Sequence, residues 1–326
     1  MKRLFPLLTV LLCLSLDAFA DGGACSRTTS ALHRACIFSA SDDMSVQTAN
    51  CLNGPADELT QCLRDAQTVR RESLTTCVAK RESRDDVCDA LGEAPYQPRF
   101  GAEFAADFVN PANIGHGVAP NPFMPIVAGN EWKYEKHVID EQGDPEIEKT
   151  VVTVTDDTKL IDGITCRVVK DTVFLDDELL EETVDWFAQD LHGNVWYCGE
   201  NTAEFLVFDG DHPKTPELQN RDGSFKVGVE GAKAGIIMLG TPVIGRTYRQ
   251  ESSWANAEDI GKVVSLKADE VSPGAKCAKQ CLLTSEFSPL EPGHTESKYY
   301  VRGIGNILTV NDQTKSRAEL TSFTHR

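Results

Sequence analysis

An α+β fold is predicted, a disulfide-stapled antiparallel helical hairpin followed by a mainly antiparallel β-sheet domain, and three observations predict it. Six cysteines, Cys25, Cys36, Cys51, Cys62, Cys77 and Cys88, are mirror images about a point between Ala56 and Asp57. Beside that point stands Asn53-Gly54-Pro55, and neither flanking arm contains an internal Gly or Pro. From about Ile126 the texture changes to short β-branched and aromatic runs separated by turn residues.

The first element, residues 1–20, has the form of a secretory signal: Lys2 and Arg3, an apolar run from Leu4 to Leu16, then Ala18-Phe19-Ala20. A mature chain is expected to begin near Asp21. A lipoprotein alternative rests on Gly22-Gly23-Ala24-Cys25, which lacks the aliphatic residue usual three positions before the cysteine. Removing the signal removes Cys13 and leaves ten of eleven cysteines, an even number suited to pairing in an oxidising compartment, periplasmic or extracellular. No later stretch reaches the ~20 apolar residues a transmembrane helix needs. The net charge of −18 argues against binding nucleic acid or an anionic membrane surface.

The second element, residues 21–92, is the hairpin. Cysteine steps of 11 and 15 residues approximate three and four helical turns, so the three sulfurs of each arm line one stripe. Folding at Pro55 then pairs Cys25 with Cys88, Cys36 with Cys77 and Cys51 with Cys62. Disulfides need Cα atoms roughly 4.4–6.8 Å apart, closer than ordinary packed helices, so small residues such as Ala40 and Ala66 are expected at the seam. Thiolate metal binding is the competing reading, but the short C-x2-C spacing usual in such sites does not occur.

Residues 93–125 carry six prolines, Pro95, Pro98, Pro111, Pro120, Pro122 and Pro125, and read as an extended linker without regular helix. The β domain is expected over 126–326, with strands at Val151–Thr155, Cys166–Val169, Thr183–Ala188, Asn194–Cys198, Lys298–Val301 and Ile307–Val310. Alternation places Trp132 and Tyr134 on one face and Lys133 and Glu135 on the other.

Three blocks carry a resemblance. Asn121-Pro122-Phe123-Met124-Pro125 through Gly129 and Trp132-Lys133-Tyr134, then Asp185–Asp190 with Gly193-Asn194-Val195-Trp196-Tyr197, then Tyr299-Tyr300-x-x-Gly303-Ile304-Gly305 together resemble a family of exported bacterial proteins of unknown function. The family pattern often has proline where this chain has Ala128, and phenylalanine where it has Cys198. The second departure implies an added disulfide, most simply Cys166 with Cys198. By fold-level analogy the domain resembles the curved sheets or half-barrels of periplasmic lipoprotein carriers, which implies a concave face that holds an apolar ligand.

The chemistry is sparse. No G-x-S-x-G, H-E-x-x-H, Walker or G-x-G-x-x-G motif occurs, so the common hydrolase, zincin and nucleotide signatures are absent. Carboxylates cluster at Asp156-Asp157, Asp176-Asp177-Glu178, Glu181-Glu182 and Asp209-Gly210-Asp211, where solvated turns are expected. Cys277-x3-Cys281 needs a bend to pair with itself. Neither a cofactor nor a resident metal is expected. The aromatics Trp132, Tyr134, Trp186, Trp196, Tyr197, Tyr299 and Tyr300 are the candidate ligand-binding side chains, as sheet core or as the lining of an apolar pocket. The leading expectation is thus an exported non-catalytic protein whose β domain binds an apolar small molecule or an envelope protein. A secreted hydrolase using β-domain carboxylates, and a copper or zinc binder through Cys277 and Cys281, are the alternatives.

Overall fold

The computed structural model describes residues 22–140, 143–208 and 210–325. The expected signal segment 1–20 and Asp209 lie outside the described residues. Helix α1 (Ala24–Asn53) and helix α2 (Leu59–Leu91) form the hairpin, turning at Gly54-Pro55. Its three rungs are Cys25–Cys88, Cys36–Cys77 and Cys51–Cys62, with Cα separations of 5.6, 5.7 and 5.6 Å. Ala40 and Ala66 are buried between them, as such close helix approach requires. Cys25 is committed to Cys88, so no thiol remains there for a lipid. At 1.5 Å per residue the arms are ~45–50 Å long, with Phe38, Val46 and Leu52 exposed, so the hairpin has little core of its own.

The sheet contains β1 (Glu131–Ile139), β2 (Pro145–Ile161), β3 (Ile164–Leu175), β4 (Glu178–Gln189), β5 (Val195–Leu206), β6 (Glu217–Asn220), β7 (Phe225–Lys226), β8 (Lys233–Met238), β9 (Thr247–Arg249), β10 (Glu251–Ser252), β11 (Ile260–Ala268), β14 (Cys281–Phe287), β15 (Glu296–Val301), β16 (Gly305–Asn311) and β17 (Arg317–Thr324). A separate ribbon is formed by β12 (Val271–Ser272) and β13 (Ala275–Lys276). All pairings are antiparallel, and the main order is β10-β8-β5-β4-β3-β2-β1-β17-β16-β15-β14-β11-β9. Turn chemistry drives the meander: Asp162-Gly163 between β2 and β3, and Asp176-Asp177 between β3 and β4, all have positive φ, matching the strand twist of tight hairpins.

The sheet closes further than a half-barrel. Residues 247–252 pair through β9 with β11 and through β10 with β8, so one continuous segment stitches the two sheet edges together at Gln250. Gly235 permits this approach, since a Cβ there would lie well inside van der Waals contact with the Gln250 carbonyl. Register shifts in β1, β2, β4, β11 and β15 add the local curvature that closure needs. The result is a nearly closed barrel.

Two apolar layers hold it. The larger fills one end of the barrel with Phe123, Ile126, Trp132, Val154, Phe187, Met238 and Leu308. The smaller lies on the outer face, where Ile164, Val168, Trp186, Trp196 and the Cys166–Cys198 disulfide are covered by Phe100 and Phe108. Residues 93–125 therefore do not run free: they contain only 3-10 turns, wrap the barrel, and bury Phe100, Val109, Ile114 and Phe123. The hairpin is also docked. Arg84 of α2 makes a bidentate pair with Glu258, 2.8 and 2.7 Å, with both side chains almost fully buried.

Candidate functional site

Strand alternation decides what faces the lumen. Inward positions surround a cavity of about 820 Å³ that continues into a second of about 420 Å³ toward loops containing Gly223, Asn256 and Ser288–His294. Read away from the filled end, four strands pass from apolar to polar or charged, while β3 turns Val169, Asp171 and Val173 inward. The series are Trp132-Tyr134-Lys136 on β1, Val154-Val152-Thr150-Glu148 on β2, Phe187-Asp185-Glu181 on β4 and Tyr300-Lys298-Glu296 on β15. The lumen is amphipathic along its axis.

The apolar end is a plug built by the three sequence blocks. Asn121 is buried; its Nδ2 donates to the Gly193 and Leu239 carbonyls, while its Oδ1 accepts from the Phe123 and Met124 amides. Asp190 accepts from the His192 and Asn194 amides, Asn194 Nδ2 and Trp196 Nε1, fixing the β4–β5 turn. Trp132 Nε1 donates to the Ile304 carbonyl at 2.6 Å, and Gly303 donates to the Pro122 carbonyl. These blocks thus have a shared structural role: they seal one end of the barrel.

The charged end is strongly acidic. Ten carboxylates line the two cavities, against Lys136 and Lys298. Both lysines are already paired, Lys136 with Glu148 at 3.1 Å and Lys298 with Glu286 at 3.0 Å and Glu296 at 3.4 Å. No ion pair among the described residues involves Asp171, Asp185, Glu200, Glu251 or Asp259. Their proton affinities follow. Burial, then the Glu181 charge, pushes Asp171 up to about 7. Burial also raises Asp185 to about 7, against the opposing hydrogen bond from Tyr197. Glu200 rises to about 8 through burial and Asp185, Glu251 rises well above its ordinary value through burial and Asp259, and Asp259 is raised mainly by burial. Glu286 goes the other way: burial alone would raise it, but the Lys298 charge and hydrogen bonds from Thr284, Lys298 and Gln250 prevail. One polar atom here lacks any partner, Oδ1 of Asp171.

The seven candidate aromatics are dispersed. Trp132, Tyr134 and Tyr300 line the lumen, with the Tyr134 hydroxyl donating to the Asn306 carbonyl at 3.0 Å. Tyr197 is buried, stacked on Phe187 and bonded to Asp185, without lining the cavity. Trp186 and Trp196 belong to the outer layer, and Lys159 Nζ sits 3.4 Å above the Trp186 ring. Tyr299, of opposite parity to Tyr300, lies half-buried near Glu270, Asp312 and Arg317. Among the described residues, Glu181 alone of the carboxylates clustered in sequence lines the lumen; Asp171, Asp185, Glu200 and Glu251 come singly from strands, and Asp259 from just before β11. For Asp171 and Asp185 the signal was an acidic residue at the parity of apolar neighbours, Val169 and Val173 in one strand and Phe187 in the other.

Cys277 and Cys281 are bonded to each other, Cα separation 5.1 Å, the bend being supplied by positive φ at Ala278 and Lys279. In that form neither sulfur is a thiolate ligand, and among the described residues no group of three or more His, Cys, Asp or Glu could hold a metal. No helix among them is long and apolar enough to cross a membrane. All ten cysteines after residue 20 are paired, which fits an oxidising, extracytoplasmic compartment. Comparison of the chain with known protein families, curated proteins and solved structures gives no match.

Proposed function

We propose that the chain is an exported, non-catalytic binding protein whose barrel lumen takes an amphipathic ligand with an apolar body and a cationic head. The observation that carries this reading is the polarity gradient along the lumen, apolar at the plug and acidic beyond it. A purely apolar ligand would leave Asp171, Asp185 and Glu200 without a counter-charge, with only the Tyr197 and Thr202 hydroxyls donating to Asp185 and Glu200 and Asp171 Oδ1 bare. A protonated amine or guanidinium among them supplies the missing counter-charge. Export is supported by the form of residues 1–20, by the five disulfides and by the resemblance to an exported family.

A matched series separates the possibilities: decylamine, decanol and decanoate titrated into the oxidised protein at pH 8 and followed by calorimetry. The proposal expects saturable decylamine binding, weakened at pH 5 where the carboxyls are protonated. Equal binding of all three would mean an apolar site, and binding of none would leave a scaffold or a protein partner from the envelope.

A hydrolase remains the second reading, favoured by one feature: Asp185, raised to about 7, shares the lumen with Asp171 and Glu181 and has the properties of a general acid. Turnover of chromogenic glycosides that disappears in Asp185→Asn would support it, and absence of turnover across pH 4–8 would remove it.

A further inference from the structure

Arg249 ends β9 beside the closure point, only 8% exposed. Its guanidinium lies between two aromatic rings, 5.6 Å from the Tyr96 centroid and 5.1 Å from that of Trp254. The carboxylate whose charge acts on it, Glu258, is already engaged. Glu258 accepts the Arg84 fork through both oxygens and the Ala255 amide through Oε1, and Arg249 has no ion pair or hydrogen-bonded acceptor among the described residues. Three residues on, Ser252 is 1% exposed and its hydroxyl has no partner.

Both side chains line one pocket of about 130 Å³, where the first turn of α1 and residues 94–96 meet the barrel. Lys233 lines it too, donating one bond to the Tyr96 carbonyl at 2.6 Å. Neither neighbouring acid is part of the lining: Glu93, beside Ala94, has its carboxylate held by Ser26, and Glu251, beside Ser252, lines the second lumen cavity instead. Guanidinium, ammonium and hydroxyl thus converge on a space that offers no charged acceptor. A buried cation without a counter-charge is strongly disfavoured, and aromatic faces compensate it only in part.

We propose that this pocket, at the junction of hairpin and barrel, binds an oxyanion: the phosphate or carboxylate group of a ligand, held by Arg249 with Ser252 and Lys233. Guanidinium donors in a planar fork match either group, and the adjacent hydroxyl completes the set. Burial depresses the Arg249 proton affinity against the opposing pull of Tyr96 and Glu258, the direction expected for a cation whose counter-ion is absent. The site is independent of the lumen, which calls for ligand of the opposite charge.

The test titrates the full oxidised protein with sodium phosphate or sodium acetate against sodium chloride at matched ionic strength and pH 7, by calorimetry and thermal melting. Saturable binding of phosphate, acetate or both beyond the chloride control is expected, and the effective anion identifies the group. Ser252→Ala should weaken it about tenfold and Arg249→Gln should abolish it. Should Arg249→Gln fail to fold, wild type and Ser252→Ala decide. No saturable response in wild type, or the same affinity in wild type and Ser252→Ala, overturns the proposal.

Discussion

Replacing Asp185 by Asn tests the electrostatics of the lumen directly. Asp185 is 8% exposed and its proton affinity rises from an ordinary 3.8 to about 7, mainly through burial, with Asp171 and Glu181 adding to it and Tyr197 opposing. A gap of roughly three pH units at ~1.36 kcal/mol each sets a ceiling of ~4 kcal/mol on the cost of keeping the carboxylate ionised in the fold. Lumen water and relaxation raise the effective dielectric, so ~2 kcal/mol is the expected magnitude. The sign follows from proton counting. Between about pH 4 and 7 the native state holds a proton that the unfolded chain has released, so stability falls as pH rises through that window. Asn keeps an oxygen for the Tyr197 hydroxyl but carries no charge. Urea unfolding at pH 4, 5.5, 7 and 8.5 should therefore give near-equal stabilities at pH 4 and a variant more stable by ~2 kcal/mol at pH 8.5. A difference that is constant with pH, or a variant that is less stable at pH 8.5, refutes the reasoning.

Other outcomes follow from the same physics. Arg84→Ala should cost about 3–5 kcal/mol, because it strands the Glu258 carboxylate in the hairpin–barrel interface, whereas Arg84→Met with Glu258→Leu should cost less; denaturant midpoints compare them. Replacing Cys36 and Cys77 by Ser should destabilise by about 3 kcal/mol, read as earlier loss of helical circular dichroism on heating. Gly235→Ala should destabilise by about 1–3 kcal/mol or more by forcing the backbone away from Gln250, and faster hydrogen exchange in β8 and β10 would locate the damage. Peptide mapping without reductant should recover Cys277 joined to Cys281 and Cys166 joined to Cys198.

The hairpin was readable because its constraint is local and one-dimensional. Helical periodicity and the Pro55 turn set the distances along each arm, and reflection then selects one connectivity among fifteen. The strands were readable where β-branched runs met Asp-Gly turns, and parity sent Trp132 and Tyr134 inward together. Parity also divided Tyr299 from Tyr300 and Trp186 from Phe187, but which of the two sets faced the lumen was not evident from composition. Aromatic side chains are equally at home inside a barrel and beneath a covering segment, and Phe100 and Phe108 cover Trp196 from far away in the chain.

The sequence by itself determined the local and repeating features: the stapled helices, the pairing of their cysteines, the meander of antiparallel strands and the blocks that cap their turns. Tertiary structure alone decided closure of the sheet at Gln250, packing of residues 93–125 as a wall of the barrel and docking of Arg84 onto Glu258. It also brought carboxylates from β3, β4, β5, β10 and the residue before β11 into one lumen, and among the described residues left Arg249 between two aromatic rings with no ion pair. The physical reason is range. Propensity, turn chemistry and helical spacing act over a few residues, whereas desolvation and charge compensation depend on which distant segments share the same small volume.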